Sequence, residues 1–176
     1  MSLAFPTLKT NSLLLRQIVD DDLLHIFQGL SNPLITEYYA VSFDSLVATK
    51  EQMDWFKNLE ETSTGIWWAI TSTDEKNFYG AIGFNNLSQA NKKAELGFWL
   101  LPEHWGKGIM KNAIELVCNY AYAELKLHRI EALVETENRN SKSILLKSGF
   151  DYEGTMVDCE IKNGKFISLE SYAKLH

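Results

Sequence analysis

The stretch His104-Trp105-Gly106-Lys107-Gly108-Ile109-Met110 is where this sequence points most directly to chemistry. Its two glycines stand where an alternating apolar segment gives way to one of helical period. The first turn of a helix carries unpartnered backbone N–H groups and the positive end of the helix dipole, which together bind phosphate oxygens. Glycines there let the backbone approach those oxygens closely, and Lys107 or Lys111 would add charge. A glycine turn kept only for tight packing reads the same from these residues. Two familiar phosphate loops do not fit. The G-x-x-x-x-G-K-[ST] loop fails because Ile109 and Met110 follow Gly108. The G-x-G-x-x-G fingerprint fails at Lys111, and it should open a parallel βαβ unit, whereas a meander precedes this turn.

The elements that must position this turn can be read from periodicity. Residues 12–18 (SLLLRQI) form a first strand, and Asp20, Asp21 and Asp22 offer N-cap carboxylates for a helix running toward Gly29. Pro33 interrupts, and a second helix covers 46–59 with Ser45 as its cap. Three apolar segments, 66–71, 79–87 and 94–101, are separated by turn-rich stretches and read as an antiparallel meander. In the last of them Leu96, Phe98 and Leu100 alternate with Glu95, Gly97 and Trp99. Met110, Ala113, Ile114, Val117, Ala121 and Leu125 then recur at helical spacing over 109–125. A strand at 129–136 and a short helix over 141–147, closed by Gly149, follow. Segments 155–162 and 165–172 flank Asn163-Gly164, a strong hairpin signal. The order βαα-βββ-α-β-α-ββ implies an α/β (α+β) fold: one mixed, mostly antiparallel twisted sheet with a single βαβ crossover and helices on both faces.

Composition bounds the alternatives. The 176 residues suit one domain spanning 1–176, with 45% hydrophobic and 23% charged residues. Five Trp, seven Tyr and nine Phe supply a core and argue against disorder. Cys118 and Cys159 lie in no metal-ligand or disulfide spacing, so no metal is expected and a reducing compartment fits. Residues 1–10 lack a signal peptide, and no apolar run approaches the roughly 20 residues of a membrane span. A cytoplasmic protein is the expectation, with no membrane partner. The net charge of −6, with no basic run, argues against nucleic acid and mildly favours a basic substrate.

A resemblance now gathers these features. Ala94-Glu95-Leu96-Gly97-Phe98-Trp99-Leu100, Pro102, then Trp105 through Met110, resembles the acyl-CoA motif [Q/R]-x-x-G-x-[G/A] of GNAT N-acetyltransferases. Trp105 replaces the Gln or Arg, Gly108 keeps the glycine, and Met110 replaces the small residue. Trp-Gly-Lys-Gly is similar to the branch of bacterial ribosomal-protein N-terminal (RimJ/RimL-type) acetyltransferases. A second block agrees: Asn138-Arg139-Asn140-Ser141, then Leu145-Leu146-Lys147-Ser148-Gly149-Phe150, is similar to the family's N-x-x-S…E-K-x-G-F signature. Leu13-Leu14-Leu15-Arg16 resembles the opening strand and Glu153-Gly154 the ending, so the resemblance covers nearly the whole chain.

The resemblance implies acetyl-CoA as cosubstrate, without a metal, and an amine acceptor that is a protein N-terminus or a small amine. Trp105, Gly106, Lys107, Gly108, Ile109 and Met110 would cradle the pyrophosphate, and the N–H groups of Phe98 and Leu100 would polarise the acetyl carbonyl. Phe98 and Leu100 also suit core packing. Many relatives place a tyrosine acid seven residues after the asparagine matching Asn138, but here Leu145 stands there. Ser141 is the replacement: it either protonates the departing thiolate and touches the cofactor, or caps a helix. Glu95 matches a strand carboxylate that some relatives use as a base through water; a surface glutamate is the alternative. Glu160, Tyr152 and His104 are remoter candidates. Asn138 has an amide able to bond cofactor and substrate alike. Trp55, Trp67 and Trp68 suit the core or a substrate cleft. Two functions remain open: N-acetyltransferase, or an acyl-CoA-binding sensor that has lost the chemistry. The acceptor is not legible in residues 30–61, and the exposed edge of the C-terminal hairpin is where a second copy would form a homodimer.

Overall fold

A computed structural model describes residues 4–176. Its strands are β1 (Leu8–Lys9), β2 (Leu14–Gln17), β3 (Ile66–Thr71), β4 (Phe78–Ser88), β5 (Lys93–Leu100), β6 (Arg129–Glu135), β7 (Asp151–Lys162) and β8 (Lys165–Leu175). They form one sheet in the order β1-β2-β3-β4-β5-β6-β8-β7. Every neighbouring pair is antiparallel except β5 and β6. These two are parallel because α4 (Ile109–Ala123) crosses over between them. The expected single crossover and the mostly antiparallel sheet are both present.

Period-two alternation sorts the strand side chains onto two faces. Trp68, Ile70, Ile82, Phe84 and Leu96 pack with Ile114 and Val117 of α4 and Leu145 of α5 (Arg139–Lys147). Trp67, Ala69, Ala81 and Trp99 face the opposite way. They pack against α1 (Leu23–Leu30), α2 (Pro33–Thr36) and α3 (Leu46–Thr62), through Ile26, Leu30, Ile35, Phe56 and Leu59. Gly29 inside α1 is there for close approach: a Cβ on it would stand 2.2 Å from the Trp99 ring. That contact outweighs the ~0.5–1 kcal/mol that glycine costs a helix interior.

Two local expectations are corrected. Asp20–Asp22 form a 3-10 turn, and no aspartate caps α1 with its side chain. Asp22 is buried instead. It accepts from the Val19 N–H at 2.9 Å and from both terminal nitrogens of Arg16 at 2.7 and 2.9 Å. Within residues 30–61, Asn32 caps the one-turn α2 through the Leu34 N–H, and Ser45 caps α3 as expected. Strand β7 starts at Asp151 and not at 155, because Asp151 and Tyr152 still find partners on β8. Asn163 and Gly164 take φ of 51° and 73°, the left-handed pair that a two-residue hairpin turn requires. Among the described residues no helix is long and apolar enough to cross a membrane.

Candidate active site

The parallel pairing of β5 and β6 stops early. Its ladder is Lys93↔Arg129, Ala94↔Ile130 and Glu95↔Glu131, yet β5 continues to Leu100 and β6 to Glu135. Past Glu95 the strands diverge and a cleft of about 1140 Å³ opens between them. The β4 side of β5 stays paired, and the Leu101 N–H donates to the Tyr79 carbonyl at 2.8 Å. Successive residues of a strand point their backbone groups to opposite edges. Trp99 and Gly97 therefore face β4 with Leu101, while the N–H groups of Phe98 and Leu100 face the gap.

The glycine turn closes one end of this cleft. Gly106 and Gly108 adopt φ of 73° and 76°, a left-handed region costly for any residue with a Cβ. A Cβ at either glycine would meet no atom within 4 Å. Their requirement is thus backbone conformation and an open approach, not crowding. From Gly106 to Lys111 no backbone N–H finds an acceptor among the described residues, and the first N–H to re-enter the ladder is that of Asn112, bonded to the Gly108 carbonyl at 3.2 Å. A run of free donors at the head of a fifteen-residue helix is an arrangement able to take an anion. Trp105, Gly106, Gly108, Ile109 and Met110 line the cleft, and so does Lys111. Lys107 is exposed and lies off the cleft wall.

The second sequence block arrives on the facing wall. Asn138 accepts from the Ser141 N–H through Oδ1 at 3.1 Å and so caps α5. Ser141 is therefore not the cap. It is partly exposed on the cleft wall, and its hydroxyl bonds no described residue. Asn138 lines the cleft too, with its amide nitrogen uncommitted. Leu145, where a tyrosine acid is common, is fully buried in the core and cannot present a proton donor. Glu95 lines the cleft and accepts from Asn86 Nδ2 at 2.9 Å. Phe98 and Leu100 line it as well, while their side chains pack on the α4 face.

The remoter candidates divide. Glu160 and His104 reach the cleft; Tyr152 does not, standing half-exposed on β7 with its hydroxyl against Thr155 at 2.7 Å. The His104 ring stacks edge-on with Tyr79 at 4.7 Å. Burial pushes its pKa below 6.5, against the pull of Glu103 and with help from Lys107. Trp68 is wholly core, whereas Trp55 and Trp67 line the cleft, with the Trp67 indole N–H bound to Asn85 Oδ1 at 2.6 Å.

Sequence reading missed the far end of the cleft. Tyr38, Tyr39 and Val41, following α2, form one wall there, and Glu160 to Lys162 form the other. Burial raises the Tyr39 phenol well above its ordinary pKa, keeping it neutral. Glu37, Glu51, Glu95, Glu135 and Glu160 line the cleft, and so do Lys111, Lys147 and Lys162. The only available signal was the cluster of aromatic and acidic residues between Pro33 and Trp55, which has no period to decode. Among the described residues no group of His, Cys, Asp and Glu is arranged to hold a metal ion.

A forked parallel strand pair, a glycine cradle before the crossover helix and a polar helix start across the gap form one arrangement. The family model described as "Acetyltransferase (GNAT) domain" matches residues 12–151. The chain belongs to the GNAT acetyltransferase family. An uncharacterized N-acetyltransferase of Bacillus subtilis, YoaA, is 38% identical to this GNAT chain over 161 residues, 91% of each protein. The ribosomal-protein-serine acetyltransferase of Escherichia coli is 30% identical over 101 residues, 57% of this chain and 56% of that protein. Among solved structures, the fold is that of spermidine N-acetyltransferase from Vibrio cholerae in complex with CoA and spermine. That match has a TM-score of 0.83 at 23% identity, covering 94% of this chain and 96% of that one. As a GNAT acetyltransferase the chain is an enzyme, with a resemblance to the ribosomal-protein branch.

Proposed function

We propose that this chain transfers an acetyl group from acetyl-CoA to a primary amine that enters the cleft. The observation that carries this reading is the run of unpartnered N–H groups from Gly106 to Lys111, opening onto the cleft at the head of α4. Its donors are fixed by backbone, its glycines leave space, and Lys111 adds charge nearby, so the residues present fit a pyrophosphate. When bound, acetyl-CoA supplies the acetyl group as a reactive thioester.

The remaining steps fall to the chain's own residues. The N–H groups of Phe98 and Leu100 face the gap and polarise the acetyl oxygen, as preorganised donors that need no rearrangement. As the amine nitrogen bonds the acetyl carbon and the C–S bond breaks, Ser141 Oγ, free of other partners, passes its proton to the leaving sulfur and takes one back from the amine nitrogen, while the Asn138 amide helps orient the ligand. Glu95 takes a proton from the incoming ammonium, directly or through water. Five glutamates and three lysines line the cleft, and this excess of acid raises the local concentration of cationic amines. A peptide N-terminus and a polyamine both meet that requirement, and two of the relatives above are named for a ribosomal-protein serine and for spermidine.

Release of free thiol from acetyl-CoA, measured against spermidine, an N-terminal serine peptide, aminoglycosides and amino acids, tests this reading. Acetyl-CoA should also raise the melting temperature in a saturable way, because it binds the folded state alone. NADH and ATP should do much less. An equal response to ATP would reduce the cradle to a generic phosphate site.

A further inference from the structure

The β7–β8 hairpin carries an irregularity that strand pairing does not need. Its ladder steps from Met156↔Leu169 to Glu160↔Ile167, so residues 157–159 stand against Ser168 alone. Asp158 takes a left-handed φ of 50°, and its N–H is held by Ser168 Oγ at 2.9 Å. A bulge of this kind bends its strand and re-aims the residues beyond it. Beyond it, Glu160, Ile161 and Lys162 lie on the wall of the cleft at the acceptor end.

Lys162 then joins three separate parts of that end. Its ammonium donates to Glu135 Oε1 at 2.6 Å, at the end of β6, and to the Glu37 carbonyl at 2.5 Å, just past α2. The Lys162 and Glu135 side chains are only 21% and 15% exposed, so solvent and salt screen the pair less than a surface pair. Apolar packing does not hold the tip: Val157, Ile161 and Phe166 are 74%, 68% and 67% exposed. One ammonium therefore bridges the hairpin, the forked strand β6 and the segment after α2.

We propose that Lys162 is a positioning residue that clasps the hairpin tip across the acceptor end and sets which amines fit there. The identity of what enters rests on the acetyl-transfer reading; the clasp itself does not. Lys162→Met keeps the stem and removes the charge, and Lys162→Arg restores the charge. Melting temperatures of both variants check folding. Amide hydrogen exchange in residues 157–167 and 37–41 should be about tenfold faster in Lys162→Met and near wild type in Lys162→Arg. Binding of acetyl-CoA, by calorimetry, should stay within about twofold, because the Lys162 ammonium bonds Glu37 and Glu135 and no residue of the glycine turn. The ratio of KM for spermidine to KM for an N-terminal serine peptide should shift by about fivefold or more, with kcat for the better acceptor nearly kept. Faster exchange with an unchanged KM ratio would overturn the selective role, and unchanged exchange would overturn the clasp. If the wild-type protein acetylates neither acceptor, the acetyl-transfer reading fails for these amines. Exchange still decides the clasp in that case.

Discussion

The indole Nε1 of Trp105 donates to the carbonyl of Leu100 at 2.8 Å. Leu100 lies five residues past Glu95, where β5 loses β6 as a neighbour, so its carbonyl points into the gap with no strand to bond it. Trp105 satisfies that acceptor and ties the first residue of the glycine turn to the end of the strand whose N–H groups face the cleft. The tryptophan in place of the family's Gln or Arg thus has a structural task here. Trp105→Phe keeps the ring and removes the donor. Acetyl-CoA should bind about three- to tenfold more weakly, in line with the ~0.5–1.5 kcal/mol of one hydrogen bond, and calorimetry measures it.

Gly108 and its left-handed backbone make a separate prediction. Because no atom crowds the place of its missing Cβ, Gly108→Ala should cost backbone strain of about 1–2 kcal/mol, with no clash. If the protein relieves the strain by turning the backbone, the N–H run is re-aimed and acetyl-CoA affinity falls. Gly108→Val adds β-branching and should be worse on both counts. Chemical denaturation and calorimetry on both variants give the two numbers.

Ser141 and Asn138 should separate cleanly. Asn138 caps α5, so Asn138→Ala should lose about 1 kcal/mol of stability. Ser141 caps nothing, so Ser141→Ala should leave the melting temperature nearly unchanged. If its hydroxyl protonates the thiolate, kcat should drop by roughly 10²–10⁴-fold while the acetyl-CoA dissociation constant holds. Ser141→Cys, which retains an ionisable proton donor, should keep turnover. Full activity in Ser141→Ala would leave protonation to water.

The Arg16–Asp22 pair fixes the exit from β2 into α1. Asp22→Asn leaves a part-buried guanidinium short of its carboxylate. The loss should fall toward the lower end of the ~3–5 kcal/mol typical of a broken buried pair, because the Arg16 side chain is 21% exposed and also meets Glu75 at 2.8 Å. Denaturant unfolding measures it.

His104 gives the pH prediction. Burial lowers its folded pKa below the ordinary 6.5, so the folded protein holds the ring neutral where the unfolded chain would protonate it. The stability it contributes is present above about 6.5 and is lost as the pH falls through the lowered folded value. NMR titration of the ring should show a midpoint under 6.5, and His104→Gln should remove this part of the pH dependence of unfolding.

Periodicity and turn chemistry, which are local, made most of the fold readable. The helical spacing of Met110, Ile114, Val117 and Ala121, the alternation of Leu96 to Leu100, the Ser45 cap and the Asn163-Gly164 turn each act within a few residues. The glycine turn was legible for the same reason, since helix-start donors and left-handed glycines are properties of one short segment. What only the tertiary structure decided depends on residues far apart in the chain. The gap beside Phe98 and Leu100 exists because β5 and β6 part after Glu95 and Glu131, a register that neither strand encodes alone. The carboxyl of Asp22 met Arg16 of the preceding strand as well as the Val19 N–H because the fold brings all three groups together. Ser141 and Leu145, four residues apart, share one side of α5, and only the tertiary packing left the first on the cleft wall and buried the second. Lys162 reached Glu37, 125 residues away, because a bulge opposite Ser168 bent the hairpin, and no local pattern carries contacts at that distance.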